Sequence, residues 1–578
     1  MNKKRIIVAS FALLVFAWSH AQQPAPVAKP KPSAVLPPAA KPLPAIPAVM
    51  PAPAAPSQGV KRPKLVVGIV VDQMRWDYLY RFSNRYGNTG FKRLLGEGFS
   101  CENTFIPYTP TVTAAGHTCI YTGSVPGIHG IVGNNWLDRT SQKSVYCSED
   151  NSVSTVGANG SNGKQSPKNM LVTTIGDEIR LATNFKSKVI GVALKDRGSI
   201  LPAGHSANAA FWYDVTSGNW ITSTYYMNTL PAWVNKYNEK KAVDSFYNLG
   251  WNTLYPINTY TQSTADEKDY ENKPFGAEQT KFPYSLKQFE NKNFQIIATT
   301  PYGNAMTLEM AKAALDNEHL GKGTETDMLC VSLSSTDYVG HSFGPNSIES
   351  EDTYLRLDKD LGNFLSYLDE KIGKGQYTLF LSADHGVAHV PGFMKENKLP
   401  GGLFNESETA KQLNKTLKEK YGVDKLVAGV NNYQVHLNHP VLDSSHLPVL
   451  LITNTIIEEV QSLESVAQVF ALKDLATTPL NAKIKDMLTN GYYPARSGDI
   501  QIILKSGYID GGKTGTTHGI WAPYDAHIPL LLYGWGIKQG HTNRETYMTD
   551  IAATVTALLH VQMPSGCVGK VIEESFVK

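Results

Sequence analysis

Four short runs of apolar residues constrain the fold of this chain more than any other feature. A continuous apolar run is typical of a strand that is buried on both faces of a parallel sheet. The carboxyl ends of such strands meet at one edge of the sheet, where open α/β proteins bind their ligands. The runs cover residues 65–72, 188–194, 326–333 and 377–382, and the charged or imidazole side chains that end or follow them are Asp72, Lys195, Arg197, Asp337, His341, Asp384 and His385.

Further segments complete an α/β pattern. Apolar residues at helical spacing predict helices over 350–371 and 549–559, and two more strands are predicted over 498–504 and 527–533. Strands that alternate with helices imply an α/β fold with a mostly parallel central sheet flanked by helices.

Two stretches interrupt this pattern. Residues from about 207 to 297 are rich in aromatic side chains and poor in strand signals, whereas residues from about 396 to 491 mix short helices and strands. We expect both to be large insertions. The first would be either a lid or an irregular segment held by aromatic packing.

The chain begins with a segment typical of an export signal. Residues 1–21 contain three basic residues, then an apolar run and small residues suited to cleavage. Residues 22–64 have proline at roughly every third position, which predicts an extended tether without a core. The folded domain would then occupy residues 65–578, in the periplasm or secreted. No later segment is apolar enough for stable membrane insertion.

Charge and cysteine content exclude some classes of function. The chain has 54 basic and 51 acidic residues, and the first 64 residues contain nine basic and no acidic ones. The folded part is therefore net negative, which argues against nucleic acid as a partner. The five cysteines match no zinc or redox motif. One or two disulfides would be compatible with export.

Residues 110–117, Pro-Thr-Val-Thr-Ala-Ala-Gly-His, predict the start of a helix with Thr113 near its N-cap. A hydroxyl at this position faces unpaired backbone N–H groups and the positive end of the helix dipole, so it suits an anion. Taken alone, a threonine before two alanines is more often a simple cap. The residues at the strand ends make Thr113 a candidate nucleophile instead.

Three aspartates and three histidines would gather near Thr113. Oxygen and imidazole ligands in this mixture suit Zn²⁺ better than Ca²⁺ or Mg²⁺. Two metals about 4 Å apart can hold the attacking and leaving oxygens of an in-line displacement, and metal coordination can activate a hydroxyl. Lys195, Arg197 and Asn134 are suited to hold the other phosphoryl oxygens. The six candidate ligands are Asp72, Asp337, His341, Asp384, His385 and His518.

These motifs resemble the alkaline phosphatase superfamily, and most closely its phosphate-irrepressible (PafA-type) periplasmic enzymes. The resemblance covers residues from about 65 to 578 and rests on segments 71–72, 110–113, 134–136, 195–197, 337–341, 384–386 and 517–519. It implies one zinc ion held by Asp337, His341 and His518. A second would be held by Asp72, Asp384 and His385, with Thr113 beside it as the nucleophile. Asn134, Lys195 and Arg197 would contact the phosphoryl oxygens, whereas His117 and His527 match no ligand position.

The resemblance implies an exported two-zinc phosphomonoesterase that forms a phosphothreonine intermediate and releases inorganic phosphate from small phosphate monoesters. We expect a monomer. One alternative is a nucleotide phosphodiesterase or pyrophosphatase of the same superfamily, but Lys195 and Arg197 match the dianion of a monoester better. A second alternative is a catalytically dead binding protein, which the presence of every ligand and of the nucleophile disfavours.

Overall fold

The computed structural model describes residues 60–139 and 141–577. The predicted signal peptide (1–21) and all but the last five residues of the predicted tether (22–64) lie outside the described residues. In chain order, the strands are β1 (Leu65–Val71), β2 (Phe99–Phe105), β3 (Asn135–Leu137), β4 (Ser144–Tyr146), β5 (Thr155–Val156), β6 (Val189–Ala193), β7 (Ala209–Asp214), β8 (Asn219–Ser223), β9 (Asp327–Leu333), β10 (Tyr377–Ser382), β11 (Gly402–Phe404), β12 (Val427–Asn431), β13 (Gln434–Leu437), β14 (Val466–Ala471), β15 (Ile500–Leu504), β16 (Tyr508–Asp510), β17 (His527–Ile528), β18 (Leu530–Gly534) and β19 (Gly540–Tyr547).

The α-helices, again in chain order, are α1 (Tyr78–Arg81), α2 (Phe91–Glu97), α3 (Thr113–Thr122), α4 (Pro126–His129), α5 (Ile175–Ala182), α6 (Asp196–Ala203), α7 (Ala232–Glu239), α8 (Ala242–Leu249), α9 (Tyr302–Asn317), α10 (Ser335–Phe343), α11 (Ile348–Lys371), α12 (Pro391–Glu396), α13 (Glu406–Tyr421), α14 (His439–Ser445), α15 (Val449–Gln461), α16 (Ala482–Gly491), α17 (Pro523–Ala526) and α18 (Asp550–Leu559). The predicted helices over 350–371 and 549–559 correspond to α11 and α18.

The centre of the molecule is a parallel sheet. Strands β10, β1, β9, β6 and β7 lie side by side in that order, and each adjacent pair is parallel. All seven residues of β1 are fully buried, since helices such as α6 and α9 pack against this part of the sheet. The four apolar runs of the sequence are thus four neighbouring strands, and the predicted fold class is confirmed.

The sheet becomes mixed toward its ends. Strand β18 is antiparallel to β10 and to β2, and β19 pairs with β2 in parallel. On the other side, β8 is antiparallel to both β7 and β5. Together these strands make an eleven-stranded sheet.

A second, smaller sheet lies within the predicted insertion at 396–491 and continues beyond it. Strands β12, β13, β15 and β14 are adjacent in that order and antiparallel, and they share a separate hydrophobic core with α13 and α15. Strand β15 therefore does not join the central sheet, although its apolar sequence resembles that of the central strands.

The first part of the predicted insertion at 207–297 belongs to the central sheet instead of being inserted into it. Its first residues form β7 and β8, which extend the central sheet. The strand-poor part that follows is held by aromatic packing: the Trp251 ring lies 6.1 Å from that of Phe275 and 6.3 Å from that of Phe343 on α10. The aromatic residues thus form an interior against the helix that follows β9.

Two further observations concern the described residues. All five cysteines are free thiols, so the disulfides compatible with export are not formed. Among the helices of residues 60–139 and 141–577, none is long and apolar enough to cross a membrane.

Candidate active site

The carboxyl ends of β1, β9 and β10, together with the loop between β16 and α17, bring six candidate metal ligands together. These six form two groups of three, and in each group the ligand atoms lie within 4.8 Å of one another. We call them the Asp72 group (Asp72, Asp384 and His385) and the Asp337 group (Asp337, His341 and His518). The groups are adjacent, because the imidazoles of His385 and His518 stack with their centroids 3.5 Å apart.

The Asp72 group is formed by two neighbouring strands. Asp72 directly follows β1, and Asp384 and His385 follow β10. His385 Nε2 lies 3.5 Å from Asp72 Oδ1 and 3.4 Å from Asp384 Oδ2. All three side chains are fully buried. A parallel pair with matched ends is sufficient to bring these residues together.

The Asp337 group combines a helix with a distant loop. Asp337 and His341 are one turn apart on α10, so the His341 Nε2 atom lies 3.1 Å from Asp337 Oδ1. His518 comes from the loop between β16 and α17, and its Nε2 atom lies 3.7 Å from the same oxygen. This third member comes from a loop outside the central sheet.

The backbone orients each of the three imidazoles. In all three, Nδ1–H donates to a carbonyl oxygen, which leaves Nε2 directed at the carboxylates; such support is typical of metal-binding histidines. Burial and the neighbouring His385 and His341 lower the pKa of His518 well below its usual value, so the neutral form that binds metals is favoured. The donors are His341, His518 and His385, and the acceptors are the carbonyls of Thr516, Thr111 and Gly386, at 2.8, 2.7 and 2.9 Å.

The carboxylates carry more negative charge than the nearby side chains balance. Burial and the charges of Asp337 and Asp384 raise the pKa of Asp72 well above its usual value. In addition, Asp72 Oδ1 and Asp384 Oδ2 are buried and accept no well-aligned hydrogen bond within the described chain, although His117 Nδ1 lies 3.2 Å from Asp384 Oδ2. Buried carboxylate oxygens require a cationic or hydrogen-bonding partner. The donor set and these unpaired oxygens fit divalent metal ions, and this mixture of imidazole and carboxylate suits Zn²⁺.

Thr113 lies beside the Asp72 group. It is the first residue of α3, where Val112 is the N-cap, and its hydroxyl makes no capping hydrogen bond. Instead, Oγ1 lies 3.4 Å from His385 Nε2. Thr113 thus lies next to the N-cap, close to the predicted position, and its hydroxyl contacts a candidate ligand instead of capping the helix.

Lys195 connects the two groups. Its Nζ atom donates to Asp72 Oδ2 at 2.7 Å and to Asp337 Oδ2 at 2.6 Å. Burial alone would lower the pKa of the Lys195 ammonium, but the charges of Asp337 and Asp72 raise it, so the side chain stays charged. An ammonium has three N–H bonds. One therefore remains for a phosphoryl oxygen.

Hydrogen bonds to neighbouring residues orient Arg197 and Asn134. Arg197 Nη1 donates to the Tyr146 hydroxyl at 2.9 Å, while its buried Nε has no partner within the described chain. The Asn134 Oδ1 atom accepts the Ala114 N–H at 2.9 Å, at the start of α3. The Asn134 Nδ2 group makes no hydrogen bond to the described residues and can donate to a ligand.

Gln73 and Tyr146 support this site but were not predicted from the sequence, whereas His117 was predicted to match no ligand position and also supports it. The Gln73 backbone N–H donates to Asp384 and its side chain donates to Asp337, at 3.1 and 2.6 Å, so one residue braces both groups. His117 donates from Nδ1 to the carbonyl of Thr113 at 2.9 Å. Tyr146 holds Arg197. No local motif identifies them; only the adjacency of Gln73 to Asp72 was a signal.

Comparisons with known proteins agree with this geometry. Residues 66–521 match the family described as type I phosphodiesterase / nucleotide pyrophosphatase. The alkaline phosphatase PhoV of Synechococcus elongatus is 54% identical over 518 residues, which are 89% of this chain and 94% of PhoV. The alkaline phosphatase PafA of Elizabethkingia meningoseptica is 52% identical over 522 residues, 90% of this chain and 95% of PafA.

A solved structure supports the same relationship. The crystal structure of wild-type alkaline phosphatase PafA superposes with a TM-score of 0.88 at 52% identity, and the match covers 90% of this chain and all of that one. Sequence motifs, fold and relatives therefore agree, and the chain belongs to the alkaline phosphatases of the PafA and PhoV branch of the alkaline phosphatase superfamily.

Proposed function

We propose that this alkaline phosphatase hydrolyses small phosphate monoesters through a covalent phosphothreonine at Thr113, with two Zn²⁺ as cofactors. One observation carries the proposal: the Thr113 hydroxyl lies beside one of two adjacent three-ligand groups, and Lys195 contacts a carboxylate of each. This arrangement suits in-line transfer of a doubly charged phosphoryl group.

The two metal sites follow from the two groups. The Asp337 group would hold one Zn²⁺ and the Asp72 group the other. Each group offers carboxylate oxygen and imidazole nitrogen atoms, and zinc accepts both. Bound there, the ions would act as Lewis acids toward the attacking and leaving oxygens and lower the pKa of a hydroxyl or water.

In the first step, Thr113 Oγ attacks phosphorus while the bond to the alcohol oxygen breaks. Thr113 is fixed at the first position of α3, so its hydroxyl is presented in one orientation beside the Asp72 group. The leaving oxygen departs on the opposite side of phosphorus, toward the Asp337 group. The proton of the threonine hydroxyl is balanced by protonation of the released alcohol.

In the second step, water attacks the phosphothreonine in line, the Thr113–phosphorus bond breaks, and inorganic phosphate is released. The charge of the phosphoryl oxygens is balanced in both steps by Lys195 and Arg197, and Asn134 Nδ2 donates a hydrogen bond. Fixed donors and charges of this kind stabilise a transition state without reorganising, because they are already oriented by their own partners.

A nucleotide phosphodiesterase remains the second candidate, since the matching family includes that activity in its description. A diester has one charged oxygen fewer than a monoester. Two cations proposed to contact the phosphoryl group, the buried Lys195 and the partly buried Arg197, suit the more highly charged monoester.

The cellular setting is also a proposal. We infer export to the periplasm or beyond from the signal sequence at 1–21, and we expect a monomer. Small phosphate esters, rather than nucleic acids, suit the net negative charge of the folded residues.

The nucleophile can be tested directly. We expect Thr113→Ala to lower turnover of p-nitrophenyl phosphate by about 10⁴-fold or more, while zinc content measured by mass spectrometry of metals stays at two per chain. Thr113→Ser should retain activity, because it keeps a hydroxyl at the same position. Quenched wild-type enzyme should carry phosphate on Thr113 in peptide mapping. Near-normal activity of the alanine variant would refute the assignment.

A further inference from the structure

A cleft of about 1500 Å³ lies outside the candidate metal sites and is lined by an excess of lysines. It separates the strand-poor segment around residues 267–280 from α12 and the loop after β16. We call it the lysine cleft, and its charged lining consists chiefly of Lys268, Lys273, Lys395, Lys398, Lys513 and Asp269.

Most of the positive charge in the lysine cleft is unpaired. Among the described residues, only Lys268 of the five lysines makes an ion pair, with Glu396 at 2.6 Å. Glu267, also in the lining, is paired with Lys281 at 3.0 Å. The lining has five lysines and three acids, so the cleft is a positive patch on a net negative domain.

The lysine cleft borders the Asp337 group. The Tyr270 carbonyl in its wall accepts the Gly515 N–H at 2.9 Å. The next residue, Thr516, donates to the His341 carbonyl at 3.0 Å and accepts from His341 Nδ1. Asn272 donates to Ser342, immediately after His341, at 2.8 Å. Both walls of the cleft therefore run directly into the segments that carry His341 and His518.

Of the three histidines of the candidate active site, His341 is the most exposed to solvent. The His341 side chain is 35% exposed, whereas that of His518 is 7% exposed and that of His385 is fully buried. A substrate that places its phosphorus between Thr113 and the Asp337 group must extend its alcohol portion toward solvent past His341. His341 adjoins the cleft wall, because its carbonyl accepts the Thr516 N–H and the carbonyl of the next residue, Ser342, accepts the Asn272 N–H.

We propose that the lysine cleft binds negative charge on the leaving group, so that preferred substrates are phosphate monoesters whose alcohol carries further phosphate or carboxylate groups. This inference rests on the proposed function, in which the leaving oxygen departs at the Asp337 group. The lysines are exposed and flexible, so their main effect is to attract and orient an anionic substrate rather than to act on phosphorus. Their contribution should weaken with salt.

The test compares two monoesters. Glycerol 1-phosphate has an uncharged leaving group, whereas 2,3-bisphosphoglycerate has one that carries a carboxylate and a second phosphate. We expect the variant Lys273→Glu/Lys395→Glu/Lys513→Glu to lower kcat/KM for 2,3-bisphosphoglycerate by about ten-fold at low salt, and for glycerol 1-phosphate by less than about two-fold. The difference should shrink as ionic strength rises. The corresponding Lys→Gln variant should show an intermediate effect.

A matched control separates the lysine cleft from the overall charge of the protein. Lys236→Glu/Lys287→Glu/Lys415→Glu changes the net charge equally at exposed lysines that do not line the cleft. This control variant should change kcat/KM for both substrates by the same factor. Equal losses in the cleft variant and in this control, or no loss in the cleft variant, would overturn the proposal.

Failure of the proposed function looks different from failure of the lysine cleft. If wild-type enzyme releases phosphate from neither monoester, the site assignment is wrong, and the cleft is then judged by binding alone. Calorimetric titration of 2,3-bisphosphoglycerate into zinc-loaded wild-type and triple-variant protein should still give about ten-fold weaker binding in the variant. Unchanged binding would contradict the inference.

Discussion

Lys195 and Arg197 are two residues apart, but they have different surroundings and should contribute differently. Lys195 is bonded to Asp72 and Asp337, so it balances the carboxylates of both candidate metal groups as well as any substrate. Arg197 makes no ion pair with a ligand residue within the described chain and keeps a buried Nε without a partner. Replacing Arg197 should therefore weaken the binding of the charged substrate without disturbing the candidate metal ligands.

We expect Arg197→Ala to lower kcat/KM for p-nitrophenyl phosphate by about 10²-fold, and for the matched methyl diester by less than about ten-fold. The physical reason is that the diester lacks one of the charged oxygens that a guanidinium can bind. Arg197→Lys should recover part of the monoester activity, since it restores the charge without the bidentate fork. Losses of equal size on both esters would count against a phosphate-binding role.

At the scale of elements, one short hairpin positions two of the three candidate phosphate-binding residues, Asn134 and Arg197. Strands β3 and β4 pair Asn135 with Tyr146, and the Cys147 N–H donates to the Asn134 carbonyl at 2.9 Å. Asn134 then reaches the start of α3, while the Tyr146 hydroxyl accepts from Arg197 and donates to Asp196 at 2.5 Å. The hairpin thus couples the amide and the guanidinium.

Tyr146→Phe should loosen Arg197 without removing it. We predict a decrease of about ten-fold in kcat/KM for the monoester, with little change for the diester, because a small displacement of a charged group weakens its bonds to the transition state. Tyr493→Phe is the matched control, since Tyr493 packs beside the same hairpin. A Tyr146→Phe variant that loses thermal stability but keeps its monoester preference would show that Tyr146 has only a packing role.

At the scale of the whole molecule, stability should depend on two acids buried between the aromatic segment and α11. Burial raises the pKa of Glu349 to about 8, although Tyr284 donates to its Oε1 atom at 2.5 Å, and its Oε2 atom has no partner among the described residues. Burial and the charge of Glu349 raise the pKa of Glu271 as well. Asp266, Asp352 and Lys268 also face this pair.

The direction of the pH effect follows from these shifts. Above the ordinary value of 4.5, the unfolded chain loses the Glu349 proton while the folded chain keeps it, so stability falls as pH rises toward about 8. The free energy of unfolding falls by at most about 1.4 kcal/mol per pH unit for each such carboxyl. Glu349→Gln removes this loss and still accepts the Tyr284 hydroxyl.

We therefore expect calorimetric Tm values of Glu349→Gln and wild type to coincide at about pH 5, and the variant to be higher at about pH 9. Glu278→Gln, at an exposed position, should follow the wild type at every pH. A variant that is less stable than wild type at alkaline pH would show that the Glu349 carboxylate is ionised and stabilising in the folded protein.

The sequence by itself determined the central strands and the polar residues that follow them. Continuous apolar runs require burial on both faces, so β1, β6, β9 and β10 were predictable, as were the side chains at their carboxyl ends. Asp337 and His341 are four residues apart, so their proximity on one helical turn of α10 was also predictable from the local sequence. These features depend on residues close together in the chain.

Only the tertiary structure decided the rest. The apolar run of β15 fits either sheet, and its place in the small one depends on pairing with β13 and β14. Gln73 bonds to Asp337, 264 residues away, and Tyr146 to Arg197, 51 residues away. Hydrogen bonds of a single side chain across such separations leave no periodic pattern in the sequence, because they are set by how the elements pack.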